Sequence, residues 1–492
     1  MAQDFTVNVD FAVLRDAAGK PKTVLAWGDP VRMVKRDDER IEVETVDFVE
    51  SGGGLQAVET SGFLKRRIRL HGKDHEVALP AAQVRVLRIS FVDVQQGDAT
   101  LIQTPKGRVI TIDGGESKLF ARFLASRLRG SSAQHRQEID AMVVTHGDAD
   151  HFSGLPEIFA SETNKDPDKR LFAHPKRVFH NGLVKRPVKV PRLERLGATV
   201  KVGEDTVITG LEEDLLAVPD SEMNDEFKAW KRALEAWQAS GGPIEIRRLA
   251  KGDDDAFGYL ADEQLRVEVL GPIERTAKGK PGLEFLRGPK GDDPMAHLGF
   301  EPGSLSDSHT INGHSIVLRL TFGHYRMLFA GDLNNAVESA LVADPAVDLE
   351  AEVFKVPHHG SHEFETPFLK AASPLVSVVS SGDERELTEH IHPRATLMNA
   401  LGRCSRDDTS LVFVTELAAF FKLMGQSVTT PPKGRGRPYF GFSRSAFGCV
   451  RVRTDGEHML VFTDSGKRDF HEAYAYDATA PGVTARAELR KG

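Results

Sequence analysis

Residues 142–155 read MVVTHGDADHFSGL. An apolar run gives way to His146, Asp148, Asp150 and His151 within six positions. Two carboxylates held this close repel each other unless a proton or a cation intervenes. Imidazole and carboxylate are also the side chains that hold divalent metals. The stretch therefore reads as a buried strand that ends in part of a metal site.

The same arrangement recurs along the chain. VITIDGG places Asp113 after an apolar strand, MLFAGDL places Asp332, and FKVPHHGS places His358 and His359. Ligands at the ends of several strands converge while the strands hold them rigid. Taken singly, Asp113 and Asp332 read equally well as turn residues, and the histidines as ordinary core or surface imidazoles. Taken with HGDADH, a metal site is the favoured reading. His174, His180 and His297 lack this strand-end placement and read as ordinary imidazoles.

The flanking pattern supplies a frame. VRVLRISFVDV and TLIQTPKGRVITIDGG read as strands with the PKG turn between two of them. KLFARFLASRLRG reads as a helix, and EMNDEFKAWKRALEAW places Phe227, Trp230, Leu234 and Trp237 at helical spacing, as a helix covering a core does. SIVLRLTFGHYRMLFAGDL, EVFKVPHHGSH and PLVSVVSSG repeat the strand logic, and TLMNALG reads as a short helix. Residues 239–262 and 274–312 are rich in Gly, Pro and Asp and are expected to be long loops or an insertion. The expected fold class is α+β: a four-layer αββα sandwich with a small N-terminal β-barrel-like domain. The expected domains are 1–80, a small β module; 84–425, the main body with an insertion around 213–310; and 430–492, a small β-rich extension.

Bulk properties set limits. With 492 residues, 40% apolar and 28% charged, the chain has globular rather than disordered composition. No apolar run approaches a membrane span, and MAQDFTVNVDF lacks the basic-then-apolar pattern of a signal peptide. Two cysteines, Cys404 and Cys449, make no disulfide framework. A cytoplasmic location without membrane partners is expected. The net charge of −8 excludes a wholly basic nucleic-acid clamp, but not local patches. Residues 176–201 carry eight Lys or Arg and one Glu; residues 431–453 carry six basic residues and four aromatics. Such patches either hold single strands or are solvated surface.

FVDVQQGDATLIQTPKGRVITIDGG (91–115), VVTHGDADHFSGL (143–155), INGHSIVLRLTFGHYRMLFAGDL (311–333) and KVPHHGSH (355–362) together resemble the metallo-β-lactamase superfamily. Within it they resemble the soluble hydrolase domain of the competence-type DNA-uptake (ComEC) family. The opening VLRDAAGKPKTVLAWGDPV and the later GFLKR resemble a bacterial SH3-like domain more distantly. The resemblance implies two divalent cations (Mn²⁺, Mg²⁺ or Zn²⁺). It implies His146, Asp148 and a later His around one cation, Asp150, His151 and another His around the second, and Asp332 between them. The second His of the family's His-x-His-x-Asp-His signature is Asp148 here, as in the competence-type branch. The later imidazoles fall within His358–His359 and at His390 or His392, where EHIHPR departs from the family's run. Whichever of His358 and His359 is not a ligand is expected to give a proton to the leaving oxygen or hold the phosphoryl group. The family's first-motif Asp falls on Asp113, behind the ligands. Asp98, in the altered QQGDAT loop, is expected to orient a histidine and so to assist catalysis with Asp150 and His359. Ser361, Asn312 and Ser315 are expected to contact substrate, the last two standing near the place of the family's missing third-motif His. Lys355 is expected to lie too far down its strand to reach substrate.

Three functions compete on these residues. The favoured one is a metal-dependent phosphodiesterase or nuclease acting on nucleic acid or a nucleotide, since a carboxylate in place of an imidazole makes the site harder and more anionic. The second is a metallohydrolase of a small ester, thioester, lactam or lipid-like phosphodiester. The third is a protein-interaction module with a degenerate site, with the N-terminal domain recruiting a protein partner.

Overall fold

The computed structural model describes residues 3–51, 54–70, 72–95, 97–288, 304–382, 392–407, 410–415, 421–422, 443–444, 448–463, 472–479, 482–486 and 488–492. His297, His390 and most of the basic aromatic stretch at 431–447 lie outside the described residues.

The first half of the main body runs β1 (Leu87–Phe91), β2 (Thr100–Gln103), β3 (Val109–Ile112), α1 (Leu119–Arg127), β4 (Ala141–Val143), α2 (Ala149–Phe152), β5 (Arg177–His180), α3 (Asp225–Gly241) and β6 (Glu245–Arg248). The second half runs β7 (Leu265–Gly271), α4 (Asp307–Gly313), β8 (Val317–Phe322), β9 (Tyr325–Phe329), α5 (Asn335–Ala343), β10 (Val353–Lys355), α6 (Thr366–Ala372), β11 (Val376–Val379), α7 (Ala395–Cys404) and β12 (Leu411–Val414). Four more strands follow: β13 (Val450–Thr454), β14 (His458–Thr463), β15 (Ala473–Thr479) and β16 (Gly482–Arg486). They form two mixed sheets. One has the order β6-β5-β4-β3-β2-β1-β13-β14-β15-β16, the other β7-β8-β9-β10-β11-β12.

Alternation along the strands explains the packing. Ile110 and Ile112 of β3 and Ala141 and Val143 of β4 join one core with Leu318, Leu320 and Phe329 of the second sheet. Phe91 and Phe329 meet across it, ring centroids 6.0 Å apart. The intervening residues point the other way. Val109 and Met142 pack beneath Phe120, Phe123 and Leu124 of α1 and Trp230 and Trp237 of α3. Leu328 and Phe354 pack beneath Val337, Leu341, Phe368 and Leu401 on α5–α7. The central strands β3, β4, β9 and β10 are buried on both faces, as parallel strands under helices require, and each large apolar side chain there contributes about 1.5–3 kcal/mol by leaving water. The architecture is an α+β fold with mixed sheets, consistent with a metallo-β-lactamase-type sandwich.

Helix α3 buries the four residues read from its spacing. Asn224 caps it by accepting the Phe227 amide at 3.0 Å, and Gly242, at φ 105°, ends it. Two local expectations are revised. In their described residues, the Gly- and Asp-rich stretches 239–262 and 274–312 are more than loops. They hold β6, a 3₁₀ segment Asp254–Glu263 and a hairpin of Arg275–Ala277 with Lys280–Glu284. Pairing of Glu245–Arg248 with Arg177–His180 overrides the loop-like composition. The stretch HFSGLPEIFAS, which reads in sequence as a helix beginning near the ligand-type residues, falls instead into two short ones, α2 and Pro156–Ala160.

Seven antiparallel strands form the N-terminal sheet, from Gln3–Val7 to Ala78–Pro80. It docks on the long sheet, with Phe11 edge-on to Phe462 at 5.4 Å and buried Asp10 accepting from Arg486 at 3.0 Å and the Arg490 amide at 2.6 Å. The residues expected as a C-terminal extension continue the first sheet, because β13 pairs directly with β1.

Candidate metal centre

Parallel register brings the ligand-type residues together. β3 and β4 run parallel with Ile112 opposite Val143, and β9 and β10 run parallel with Phe329 opposite Lys355. Asp113, His146, Asp332 and His359 therefore leave their strands at one edge. The two halves are tied there by the Ile316 amide donating to the Thr145 carbonyl at 2.9 Å.

His151 stands at the centre. Its Nδ1 lies 2.8 Å from Asp113 Oδ2, and its Nε2 lies 3.2 Å from Asp332 Oδ1 and 3.3 Å from His359 Nε2. Asp113 is itself held, since its two oxygens accept the Thr145 amide at 2.8 Å and the Thr145 hydroxyl at 2.6 Å. His359 Nε2 lies 3.2 Å from both Asp150 Oδ2 and Asp332 Oδ2. Behind it, His359 Nδ1 lies 3.3 Å from Asp98 Oδ1, and Asp98 Oδ2 lies 2.6 Å from Lys355 Nζ. Asp98, His151, Asp332 and His359 offer donor atoms all within 4.8 Å of one another.

His146 borders this group. Its Nδ1 faces the Ser315 and Thr145 hydroxyls, each at 3.2 Å. Its Nε2 is buried without a hydrogen-bond partner, 4.0 Å from Asp148 Oδ2 and from Asp332 Oδ2. These separations are too long for hydrogen bonds. Asp148 is contacted by Lys185 Nζ, and the Asn312 amide, oriented to donate, lies 2.8 Å from Asp148 Oδ2. A cavity of about 280 Å³ opens over the cluster, lined among others by Asp150, Asn312, Asp332, His358, His359 and His392.

The electrostatics follow from this crowding. Burial favours a neutral His151, but Asp332, Asp113 and Asp150 outweigh it and hold the imidazole well above its ordinary value. His359 is raised likewise, with burial outweighed by Asp332 and Asp98. Burial would raise Asp332, yet His151 and His359 hold it well below the usual carboxylate range. His146 is pushed well down by burial and then by His151. Burial raises Asp148 despite Lys185. The acids thus favour the charged forms of the His151 and His359 rings. The unpartnered His146 nitrogen and the mixed imidazole–carboxylate donors fit divalent cations.

Backbone geometry serves the same end. Asp113, His358 and His359 adopt left-handed φ of 57°, 50° and 51°, a strained conformation that persists where surrounding contacts impose it. Gly97, at φ 102°, lets the QQGDAT loop lie on α2; a Cβ there would meet the Asp150 carbonyl oxygen at 1.8 Å.

Of the two adjacent histidines, His359 enters the acid cluster. His358 lines the cavity, with its ring centroid 5.9 Å from that of His392. Ser315 supports His146, and its hydroxyl accepts the Asp332 amide at 3.0 Å. The buried Ser361 hydroxyl accepts the Glu363 amide at 3.3 Å. His180 is buried and bonded to backbone, accepting the Gly182 amide at 3.1 Å. Two participants were missed from sequence: Lys355 as the partner of Asp98, and Lys185 as the partner of Asp148. The apolar strand EVFK offered a signal for the first, because a lysine buried in a strand needs a carboxylate. Lys185 gave none beyond its place in a basic stretch.

The fold and this donor cluster define a metal-binding site of the kind used by metallohydrolases. Residues 92–167 match the model of the metallo-beta-lactamase superfamily. Over 89 residues it is 36% identical to a competence protein, ComA, of Neisseria gonorrhoeae; the match covers 18% of this chain and only 12% of that relative's length. Among solved structures, the long form of RNase Z from yeast is similar at 11% identity and a TM-score of 0.24, over 70% of this chain and 38% of that one.

Proposed function

We propose that the chain is a hydrolase of phosphodiesters, a nuclease in the broad sense, working with two divalent cations of the Mn²⁺, Mg²⁺ or Zn²⁺ type. The observation that carries this reading is the acid content of the site: Asp148, Asp150, Asp332 and His359 line one cavity, and His146 and His151 lie 4.0 and 3.2 Å from Asp332. Three carboxylates suit hard cations. With those cations bound, the surplus positive charge suits an anionic substrate.

His146, Asp148, Asp150, His151, Asp332 and His359 would hold the cations, with Asp332 between the halves of the site and His392 as a further imidazole at the rim. When bound, such a pair readies a water for attack and stabilises the attacking and leaving oxygens of an in-line displacement. Asp113 fixes the ring of His151 through Nδ1, and Asp98 fixes His359. His358, held below its ordinary value by burial, hydrogen-bonds the phosphoryl group from the cavity wall. Asn312 and Ser361 assist in holding it. The short likeness to a competence protein supports nucleic acid as the substrate class. The N-terminal sheet is proposed as a docking module.

The test is metal analysis of the purified protein, followed by assays with Mn²⁺, Mg²⁺ and Zn²⁺ on bis(p-nitrophenyl) phosphate, single- and double-stranded DNA, and RNA. Metal-dependent cleavage that falls by about 10³-fold or more in Asp150→Ala and Asp332→Ala is expected. Full activity in Asp332→Ala, or hydrolysis confined to carboxylic esters and lactams, overturns the reading.

A further inference from the structure

The basic loop at 185–195 has five Lys or Arg and one Glu among its eleven residues. It is not a solvated strip remote from the chemistry. Its first residue, Lys185, contacts Asp148 at the floor of the metal cavity. The loop then closes on itself, the Arg186 amide donating to the Arg195 carbonyl at 2.8 Å, and it is anchored to the start of α3 by the Asn224 amide donating to the Lys185 carbonyl at 2.9 Å.

Beside the loop lies a groove of about 510 Å³, lined among others by Lys185, Arg186, Pro187, Val188, Arg195 and Lys228. Ser308 lines both this groove and the metal cavity. The two depressions therefore adjoin, with the Lys185 ammonium at their junction. Val188 is 81% exposed, the most exposed of the large apolar side chains among the described residues. An exposed valine between cations offers a base apolar contact, though no aromatic face to stack on, while its phosphates meet the charges.

The cations have carboxylate partners. Lys228 lies 2.8 Å from Asp225, whose side chain is 94% exposed, and such a surface pair is weak enough for an incoming phosphate to displace. Arg195 is partly buried, 3.2 Å from Asp307 and bonded to the Val188 and Val190 carbonyls at 3.1 and 3.3 Å; these contacts use three of its five N–H donors, and the others are what it offers a phosphate. Arg186 is held more firmly, between Glu222 and Glu212.

We infer that this groove is a strand subsite: it binds the phosphodiester chain on one side of the scissile bond, with Lys185 gripping the first phosphate outside the metal cavity and Arg195 and Lys228 gripping later ones. The substrate is then a single-stranded polynucleotide several phosphates long, rather than a mononucleotide or a cyclic dinucleotide. The inference rests on the phosphodiesterase reading and specifies its substrate.

The experiment compares single-stranded DNA and RNA oligomers of two to sixteen nucleotides with the full-length, metal-loaded protein. KM is expected to fall at least tenfold between the dinucleotide and the octamer. In Arg195→Gln/Lys228→Gln that length dependence should shrink to under twofold, and the slope of log KM against log salt should drop by about 1.4, the change expected from two lost single-strand phosphate contacts. Val188→Asp, at a site too exposed to disturb folding, should raise KM for the octamer about tenfold. A charge-matched control, Lys20→Gln/Lys73→Gln in the N-terminal region, should keep the length dependence. Anisotropy of a labelled octamer on the Asp332→Ala variant reads binding without turnover and should weaken in parallel. Cleavage of the dinucleotide and the octamer with equal KM overturns the subsite and leaves the phosphodiesterase reading standing. So does an equal loss in the control variant. No cleavage of any phosphodiester overturns both.

Discussion

Lys355 Nζ lies 2.6 Å from Asp98 Oδ2, and both side chains are buried. The lysine ends β10 in the second half; the aspartate comes from the loop before β2 in the first. The pair thus bridges the two halves beneath His359, toward which the other Asp98 oxygen points at 3.3 Å. Burial alone would raise Asp98, but Lys355 and His359 outweigh it and hold the carboxyl below its ordinary value. The lysine supports the site from behind.

Removing one member of a buried pair strands the other. Lys355→Met should therefore destabilise the protein by about 3–5 kcal/mol, seen as a lower midpoint in urea. The double variant Lys355→Met/Asp98→Leu should recover part of that loss while activity stays low, because His359 then lacks its orienting acid. Equal stability of wild type and Lys355→Met would contradict the bridge.

Asp113 touches no cavity wall, yet it sets the ring of His151 through a 2.8 Å contact. Asp113→Asn keeps the shape and removes the charge. Metal affinity should fall about 10–100-fold with the fold intact, as read by competition with a chelator. Unchanged affinity would leave Asp113 as a turn residue only.

The raised His151 and His359 make two linked pH predictions. Both bind protons at neutral pH in the metal-free protein, so loading cations should release about two protons per chain near pH 7. Titration calorimetry in buffers of different ionisation enthalpy measures this. A group whose folded value exceeds its unfolded one contributes stability in full below the unfolded value and loses it as pH rises through the folded value. The chelated protein should therefore lose on the order of 4 °C in Tm between pH 6.5 and 9, and the loaded protein much less. Identical profiles with and without chelator would refute the assignment.

His180 and His314 give the opposite limb. Burial pushes each down to about 4. The unfolded chain takes up these protons near 6.5 and the folded chain does not, so stability falls as pH drops from about 6.5 toward 4. Each contributes up to about 3 kcal/mol to that loss. Acid unfolding of wild type against His314→Phe checks it; the variant should lose less stability over that window.

Gly97 is a steric prediction. Gly97→Ala puts a methyl carbon 1.8 Å from the Asp150 carbonyl oxygen at φ 102°, so the loop or α2 must move. A loss of at least about 2 kcal/mol together with weakened metal binding is expected. A variant with wild-type metal affinity would show that Asp150 is not positioned through this contact.

Local pattern alone located the strand ends and their ligand-type residues. An apolar run interrupted by His146, Asp148, Asp150 and His151 is a conflict that neighbours in sequence already reveal, and helix α3 announced its buried face through Phe227, Trp230, Leu234 and Trp237. Partnership was not local. Which of His358 and His359 meets the acids depends on left-handed turns at both residues. Lys355 and Asp98 are distant along the chain and meet only because the two sheets stack. The strands after residue 448 read as an appendage because nothing in their sequence names β1 as the strand they pair with.

The sequence by itself thus marked the candidate residues, since burying charged groups beside an apolar strand is costly unless something offsets them. Only the tertiary structure decided their geometry: parallel register brought four strand ends to one edge, and sheet stacking set Lys355 beneath the site and Lys185 at its mouth. The physical reason is range. Hydrophobic periodicity is set by neighbours a few residues apart, whereas a cation between carboxylates is recognised by atoms hundreds of residues apart, held within a few ångströms by the packed core.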